Sequence, residues 1–373
     1  MHKTIIMLGL GLSNGLLVLN LLRRGYSGEI CILERSAVPD MSKRWCSWGA
    51  VPDTLQDIVS ASWYSWSVQK DQERLIRNSE AGYHQILAKD FWRHFFDVVC
   101  QHSNIKIHFK TDCTGWHHKP DRVVARTSRG EYTGHLIIDS RPLKMRNSSY
   151  QQQFVGYHIE TTKPSFDPKV VHLMHFEKMQ RREIAFTYVL PYGERSALVE
   201  STLFRTGAFN RHDIESKLRK ALKEQFGLNE NNSNVIGIEE GCLPMSIPPQ
   251  RPTCTRRYWP IGIRSGALRH SSGYGLNAFD RQSAHYANTI LQKKSKPIVV
   301  LREQLIRILD LCFARVLEKD PKLGRECLFR AVGRMNQPEF CRLMRGDFHL
   351  RTAWQAIHAM PKKSFLKTLI FAG

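Results

Sequence analysis

The chain has 373 residues, enough for two domains, and its 42% hydrophobic content is that of an ordinary globular protein. Its nine cysteines are scattered, odd in number and form no C-x-x-C pair, which argues against a zinc site or a disulfide framework and fits a reducing cytoplasm. The formal net charge of +21 is spread over short pairs such as Arg23-Arg24, Lys43-Arg44 and Lys293-Lys294; with no recognisable nucleic-acid module, this favours an anionic membrane surface over nucleic acid.

The first 34 residues carry the most information. An apolar strand (Thr4–Leu8) leads into Gly9-Leu10-Gly11-Leu12-Ser13-Asn14-Gly15, then a helix to Arg24, then a second apolar strand ending at Glu34. This is the order of a dinucleotide-binding βαβ unit. Gly9 permits a tight turn, and Gly11 lets a pyrophosphate approach the backbone. The helix then aims its free N–H groups at that phosphate. Glu34 stands where such a unit places the carboxylate that accepts a ribose hydroxyl. One position departs from the usual spacing: the third glycine falls at Gly15, with Asn14 in its place. A signal peptide or membrane anchor is a rival reading of Ile5–Leu22. Ser13, Asn14, Asn20 and three glycines interrupt it, however, and no small-residue cleavage site follows.

Further along, Lys43–Gly49 reads as a loop whose tryptophans, Trp45 and Trp48, are either core anchors or walls of an apolar ligand site. Trp63–Val68 reads as a strand with the same choice for Trp63 and Trp66. Phe91, Phe95, Val98 and Val99 recur at helical spacing within Ala88–His102. Strands are expected at Ile105–Phe109, Arg122–Ala125 and Tyr132–Asp139, the last ending at Asp139-Ser140-Arg141-Pro142, where an open α/β sheet makes ligand contacts. His117-His118 has no nearby cysteine or acid and reads as a surface turn, not a metal site.

From Gln151 to Met245 strands predominate: Phe154–Glu160, Val170–Phe176, Ile184–Leu190 and Ser196–Phe204, with a hairpin turn at Pro191–Arg195 and a helix at His212–Phe226. Two glycine-containing turns follow, Gly262–Gly266 and Ser271–Gly275. The rest is helical, through Ile298–Leu317, Gly324–Met335 and Thr352–Met360. A nucleotide unit at the start, a β-rich insertion and a late glycine turn describe an α/β flavoprotein of the two-domain FAD type, Rossmann-like in the manner of glutathione reductase. The expected division is 1–150 and 246–290 for FAD, 151–245 for a β-rich substrate domain, and 291–373 for a helical C-terminal region.

In that order the motifs resemble those of the lycopene cyclase family of carotenoid biosynthesis, nearly end to end. Gly9–Gly15 resembles the family's glycine turn, including its Asn-Gly ending, and Lys43–Trp48 its R-T-W-C-F-W loop. Asp139–Pro142 matches its D-S-R-P turn. Tyr188–Pro191 with Ala197–Phe204 looks like the strand pair carrying its catalytic acid. Leu243-Pro244-Met245 and Ser271–Tyr274 resemble two later motifs.

The resemblance implies a flavoenzyme that binds FAD, works with the flavin reduced, takes NAD(P)H as reductant and isomerises its substrate without net redox change. It assigns Glu200 as the catalytic acid. With the βαβ reading, it nominates Gly9, Gly11, Asn14, Gly15, Glu34, Arg44, Asp139, Gly266, Ser272 and Gly273 for the cofactor, and no metal. The expected partner is a hydrophobic polyene, met at the inner face of the cytoplasmic membrane by a peripheral protein. Oligomeric state is left open. The bland reading of Glu200 is an exposed strand carboxylate paired with Arg195 or Arg205.

This sequence departs from the family pattern at Ser47, His175, Ser201 and His270, which opens the identity of the polyene. Other readings are a redox flavoenzyme (monooxygenase, halogenase or reductase) on the same scaffold, or a non-catalytic pigment-binding protein. The W-x-W-x-I-P halogenase motif is missing; Trp259-Pro260-Ile261 lacks its spacing.

Overall fold

The structure, a computed structural model, describes residues 4–179, 183–246, 252–298, 300–347 and 349–362. Its strands in chain order are β1 (Ile5–Leu8), β2 (Ile30–Leu33), β3 (Arg44–Trp48), β4 (Val59–Lys70), β5 (Glu73–Leu87), β6 (Ile105–His108), β7 (Cys113–His118), β8 (Val123–Thr127), β9 (Gly130–Gly134), β10 (Leu136–Asp139), β11 (Gln151–Thr161), β12 (Val170–Phe176), β13 (Ile184–Gly193), β14 (Ser196–Arg205), β15 (Ser233–Pro244) and β16 (Tyr258–Pro260). The helices are α1 (Leu12–Arg23), α2 (Ala88–Val99), α3 (Arg211–Phe226), α4 (Leu276–Leu291), α5 (Leu301–Lys319), α6 (Pro321–Arg334), α7 (Gln337–Arg345) and α8 (Leu350–Ala359).

Strands β16-β10-β1-β2-β6 form a parallel sheet. Parallel strands are covered on both faces and so read as unbroken apolar runs. Here Ile5, Met7, Ile30 and Ile32 pack on α1, α2 and α4. Ile6, Leu8, Cys31 and Leu33 turn the other way onto the small sheet β7-β8-β9. Gly15 lies on the α1 face towards α2: a Cβ there would meet the Phe91 ring at 2.9 Å. His117 and His118 end strand β7, where a turn was expected, and Tyr132–Asp139 is split into β9 and β10.

The second sheet has eight strands, ordered β15-β11-β14-β13-β12-β4-β5-β3. It draws on residues 44–87 as well as 151–244, so the early segment Arg44–Leu87 lies in this sheet and not in the parallel one. One face, with Val155, Tyr157, Val199 and Leu203, packs on Ile214, Leu218 and Leu222 of α3. The opposite face, with Phe186, Leu190, Leu198 and Phe204, meets Leu317, Phe329, Val332 and Phe340 of α5–α7. Because side chains alternate along a strand, Leu198, Glu200, Thr202 and Phe204 share this second face while Val199, Ser201 and Leu203 point away.

Candidate active site

Between the eight-stranded sheet and helices α5–α8 lies a cavity of about 790 Å³, reaching across to the turn before α4. Its walls are mainly Leu, Phe, Met and Tyr side chains, with few polar groups. Glu200 is one of them. It is buried, and Oε1 accepts a 2.5 Å hydrogen bond from Thr202 Oγ1. Burial disfavours its anion, the Glu239 carboxylate nearby adds to this, and only the Thr202 bond opposes them; the carboxyl is pushed up to about 8. The exposed, arginine-paired reading is therefore replaced. Arg205, the last residue of β14, is engaged by Glu183, Asp213 and Gln153.

The residues around Glu200 come from separate strands in register. Glu200 stands opposite Gly156 of β11 on one side and Tyr188 of β13 on the other, and Gly156 in turn stands opposite Glu239 of β15. Tyr188 Oη lies 2.9 Å from Tyr83 Oη, which donates to Tyr274 Oη at 3.0 Å. Trp48 is fully buried and meets Trp66, Tyr274 and Phe340 edge to face, at 5.0, 5.9 and 5.3 Å. Trp48 thus both anchors the core and lines the cavity, as Trp45 does against Phe91. Trp63 and Trp66 are core residues whose indole N–H groups bind Pro191 O and Gln337 Oε1.

The glycine turn assembles a different set. Gly9 has φ +82°, a conformation that favours glycine, and the N-cap Gly11 gives α1 no side-chain cap. The first-turn N–H groups of α1 are thereby left for an outside acceptor. Asn14, buried, donates to Leu8 O, Gly9 O and Ser140 Oγ, pinning the turn to the end of β10. Glu34 accepts from Leu10 N and Ser36 N, one bond per oxygen, which leaves lone pairs for ribose hydroxyls. Asp139 is fully buried and gripped by Arg141, Arg264 and Tyr258, so it acts on the turn's shape.

The 3₁₀ turn Gly262–Ser265, closed by Gly266 at φ +74°, comes up against α1. A Cβ on Gly262 would fall 2.1 Å from Ser13 Oγ. Arg44 pairs with Glu239 at 2.6 Å while its Nε, like Ser272 Oγ and Gln152 Oε1, is buried with no hydrogen-bond partner among the described residues. These three orphaned atoms lie on the cavity wall, with Gly273 packed so closely that its Cβ would sit 2.2 Å from Gln152 Oε1. The structure thus divides the nominated residues in two. Gly9, Gly11, Asn14, Glu34, Asp139 and Gly266 gather at the parallel sheet, and Arg44, Ser272, Gly273 and Glu200 at the cavity; Gly15 belongs to packing. Tyr83, Tyr188, Glu239 and Gly156 were not singled out from sequence for the site, because only strand register brings them together.

A parallel-sheet nucleotide unit joined to a large second sheet is the two-domain fold of FAD-type flavoproteins. Solved structures agree on the fold. The flavin-dependent brominase Bmp2 matches with TM-score 0.67 at 12% identity, covering 95% of this chain and 97% of that one. A geranylgeranyl bacteriochlorophyll reductase-like protein from Thermoplasma acidophilum matches with TM-score 0.63 at 12% identity, covering 99% and 100%. Halogenase PltM, solved with phloroglucinol and FAD, matches with TM-score 0.58 at 11% identity, covering 90% and 79%.

Within that class, residues 4–359 match the family model described as "Lycopene cyclase protein", and the chain belongs to this family. A lycopene beta-cyclase of Paracoccus sp. (strain N81106 / MBIC 01143) is 23% identical over 292 residues, 74% of this chain and 71% of that protein.

Proposed function

We propose that this protein cyclises an acyclic end of a long polyene, such as lycopene, with Glu200 as the proton donor. The observation that carries the reading is a buried carboxyl on the wall of a largely apolar cavity, held there with the Thr202 hydroxyl and with burial and Glu239 disfavouring its anion. Protonating a carbon–carbon double bond calls for an acid held in a dry site. The proton on Glu200 adds to the terminal double bond and leaves a tertiary carbocation. A neighbouring double bond attacks it, closing the six-membered ring and moving the charge into the ring. Loss of a ring proton restores a double bond, and the Glu200 carboxylate is placed to take that proton back. Atoms balance, so the product has the substrate's mass. Trp48, Tyr83 and Phe340 line the same cavity, and aromatic rings near a cation favour it.

The residues present fit FAD. The uncapped start of α1 with Gly9 and Gly11 suits the pyrophosphate, Glu34 the ribose, and the orphaned Arg44 Nε, Ser272 Oγ and Gln152 Oε1 the polar edge of a ring system. When bound and reduced, with NAD(P)H as reductant, the flavin supplies negative charge beside the cavity.

The proposal extends to how the substrate arrives. Among the described residues no helix is long and apolar enough to cross a membrane. Yet α5 and α8 expose Leu301, Ile308, Leu350, Trp354 and Ile357, and Ile357 and Leu309 also line the cavity. An apolar surface on α5 and α8 that reaches the cavity wall, with exposed Lys293, Lys294 and Lys296 on the segment before α5, suits contact with a bilayer that dissolves the polyene.

Purified, flavin-loaded protein incubated with lycopene-bearing vesicles and NAD(P)H tests the reading. A product of unchanged mass with a cyclised end supports it. Unchanged lycopene argues against this substrate, and an oxygenated, halogenated or reduced product would favour the redox flavoenzyme reading.

A further inference from the structure

Gly156 is the centre of an arrangement that the cyclisation chemistry alone does not require. It separates Glu200 from Glu239 across three neighbouring strands, and a Cβ there would lie 3.3 Å from Glu200 Cβ and 3.4 Å from Glu239 Cγ. Both carboxyl-bearing side chains lean over this one glycine into the same cavity. They are held differently. Glu239 takes a 2.6 Å ion pair from Arg44, with His158 Nε2 at 3.7 Å. Among the described residues, Glu200 is held by the Thr202 hydroxyl alone.

We propose that Glu239, ion-paired with Arg44, is a positioning residue that keeps the proton on Glu200. Two carboxylates facing each other over a glycine repel when both are charged, and the arginine of this site is paired with Glu239, not with Glu200. The other charged or titratable groups around the pair are Arg44 and Cys46 from β3, Tyr83 from β5, His158 from β11, and Tyr188 and Tyr192 from β13, with Tyr274 before α4. Burial raises Cys46 to about 11, Tyr192 to about 12, and Tyr83, Tyr188 and Tyr274 higher, so none of these adds a negative charge beside Glu200 near pH 7. Ser201, the next residue along β14, points to the α3 face, out of the cavity. Glu239 provides a second carboxyl on the cavity face itself.

This inference rests on Glu200 being the acid of the proposed reaction, and its test is independent of substrate. Infrared titration of the flavin-loaded protein should show a protonated-carboxyl band near neutral pH that is absent from Glu200→Gln. In Glu239→Gln the same band should titrate lower by about one unit or more, while Glu239→Asp, which keeps the charge, should hold it near the parent value. The high-pH limb of activity should move with the band. A band that survives in Glu200→Gln would put the proton on Glu239 and overturn the proposal, as would an unmoved midpoint in Glu239→Gln. If Glu239→Gln does not fold, the parent, Glu200→Gln and Glu239→Asp spectra still decide where the proton sits. Failure of the lycopene assay with these spectra as expected would sink the substrate reading alone.

Discussion

Glu200 is costly to ionise because its neighbours on the sheet face are Leu198, Thr202 and Phe204, and a single hydroxyl cannot replace a hydration shell. The sign of the consequence for stability is fixed. With a folded value near 8 and an ordinary carboxyl value of 4.5 in the unfolded chain, the unfolded state gives up its proton first as pH rises. Folding stability therefore falls between those two values, by a few kcal/mol at most at ~1.4 kcal/mol per unit, and is level below and above them. Glu200→Gln carries no such slope. Its melting temperature should exceed the parent's at pH 8 and approach it at pH 4.5, measured by calorimetry with flavin bound. Parallel curves would show that Glu200 is not held neutral. His172 and His175, stacked at 4.3 Å and pushed down to about 3 and about 4 by burial, are neutral at the upper end of this range, where the comparison at pH 8 is made.

At the scale of elements, what could be read from the sequence was what is local. The β1–α1–β2 unit declares itself because both strands are buried on two faces and a glycine turn joins them to a helix. Strands β11 to β14 showed through alternation and the Pro191–Arg195 turn. Strand β5 did not: in Glu73–Leu87 only Leu75-Ile76 interrupt a polar first half that ends in Arg77-Asn78-Ser79-Glu80, so neither an apolar run nor alternation marks this arm of the long hairpin with β4. Strand β3 hid as a loop, since five residues with Ser and Cys carry little strand signal. Glu200 was legible through its motif. Glu239 and Tyr83 were not, since they reach it only through the register of the eight-stranded sheet. Contact between α1 and the Gly262 turn is equally non-local, and it makes a prediction. Gly262 has φ +66°, and alanine there would also strike Ser13 Oγ. Gly262→Ala should cost about 1–3 kcal/mol and weaken flavin retention. Adding Ser13→Gly should recover part of the flavin, since the clash is relieved while the backbone strain remains; gel filtration with absorbance of bound flavin reads both.

For the whole molecule, a charge of +21 and the apolar surface on α5 and α8 act together. Each basic group near an anionic surface contributes ~1 kcal/mol and is screened by salt, whereas buried apolar side chains are not. Binding of the protein to anionic vesicles should thus weaken with salt without vanishing. Leu350→Asp combined with Trp354→Asp, both exposed on α8, should cut cosedimentation with vesicles at least tenfold while leaving the circular dichroism spectrum unchanged. Undiminished binding would move the proposed membrane contact away from this surface.

The central claim is that Glu200 protonates a polyene end inside this cavity. Pigment analysis of lycopene-accumulating cells expressing either the parent chain or Glu200→Gln tests it most directly, with flavin content checked on the purified proteins. The account predicts cyclised carotenoid of unchanged mass from the parent and unreacted lycopene from Glu200→Gln, with both proteins folded and flavin-loaded. Cyclised product from Glu200→Gln would contradict it.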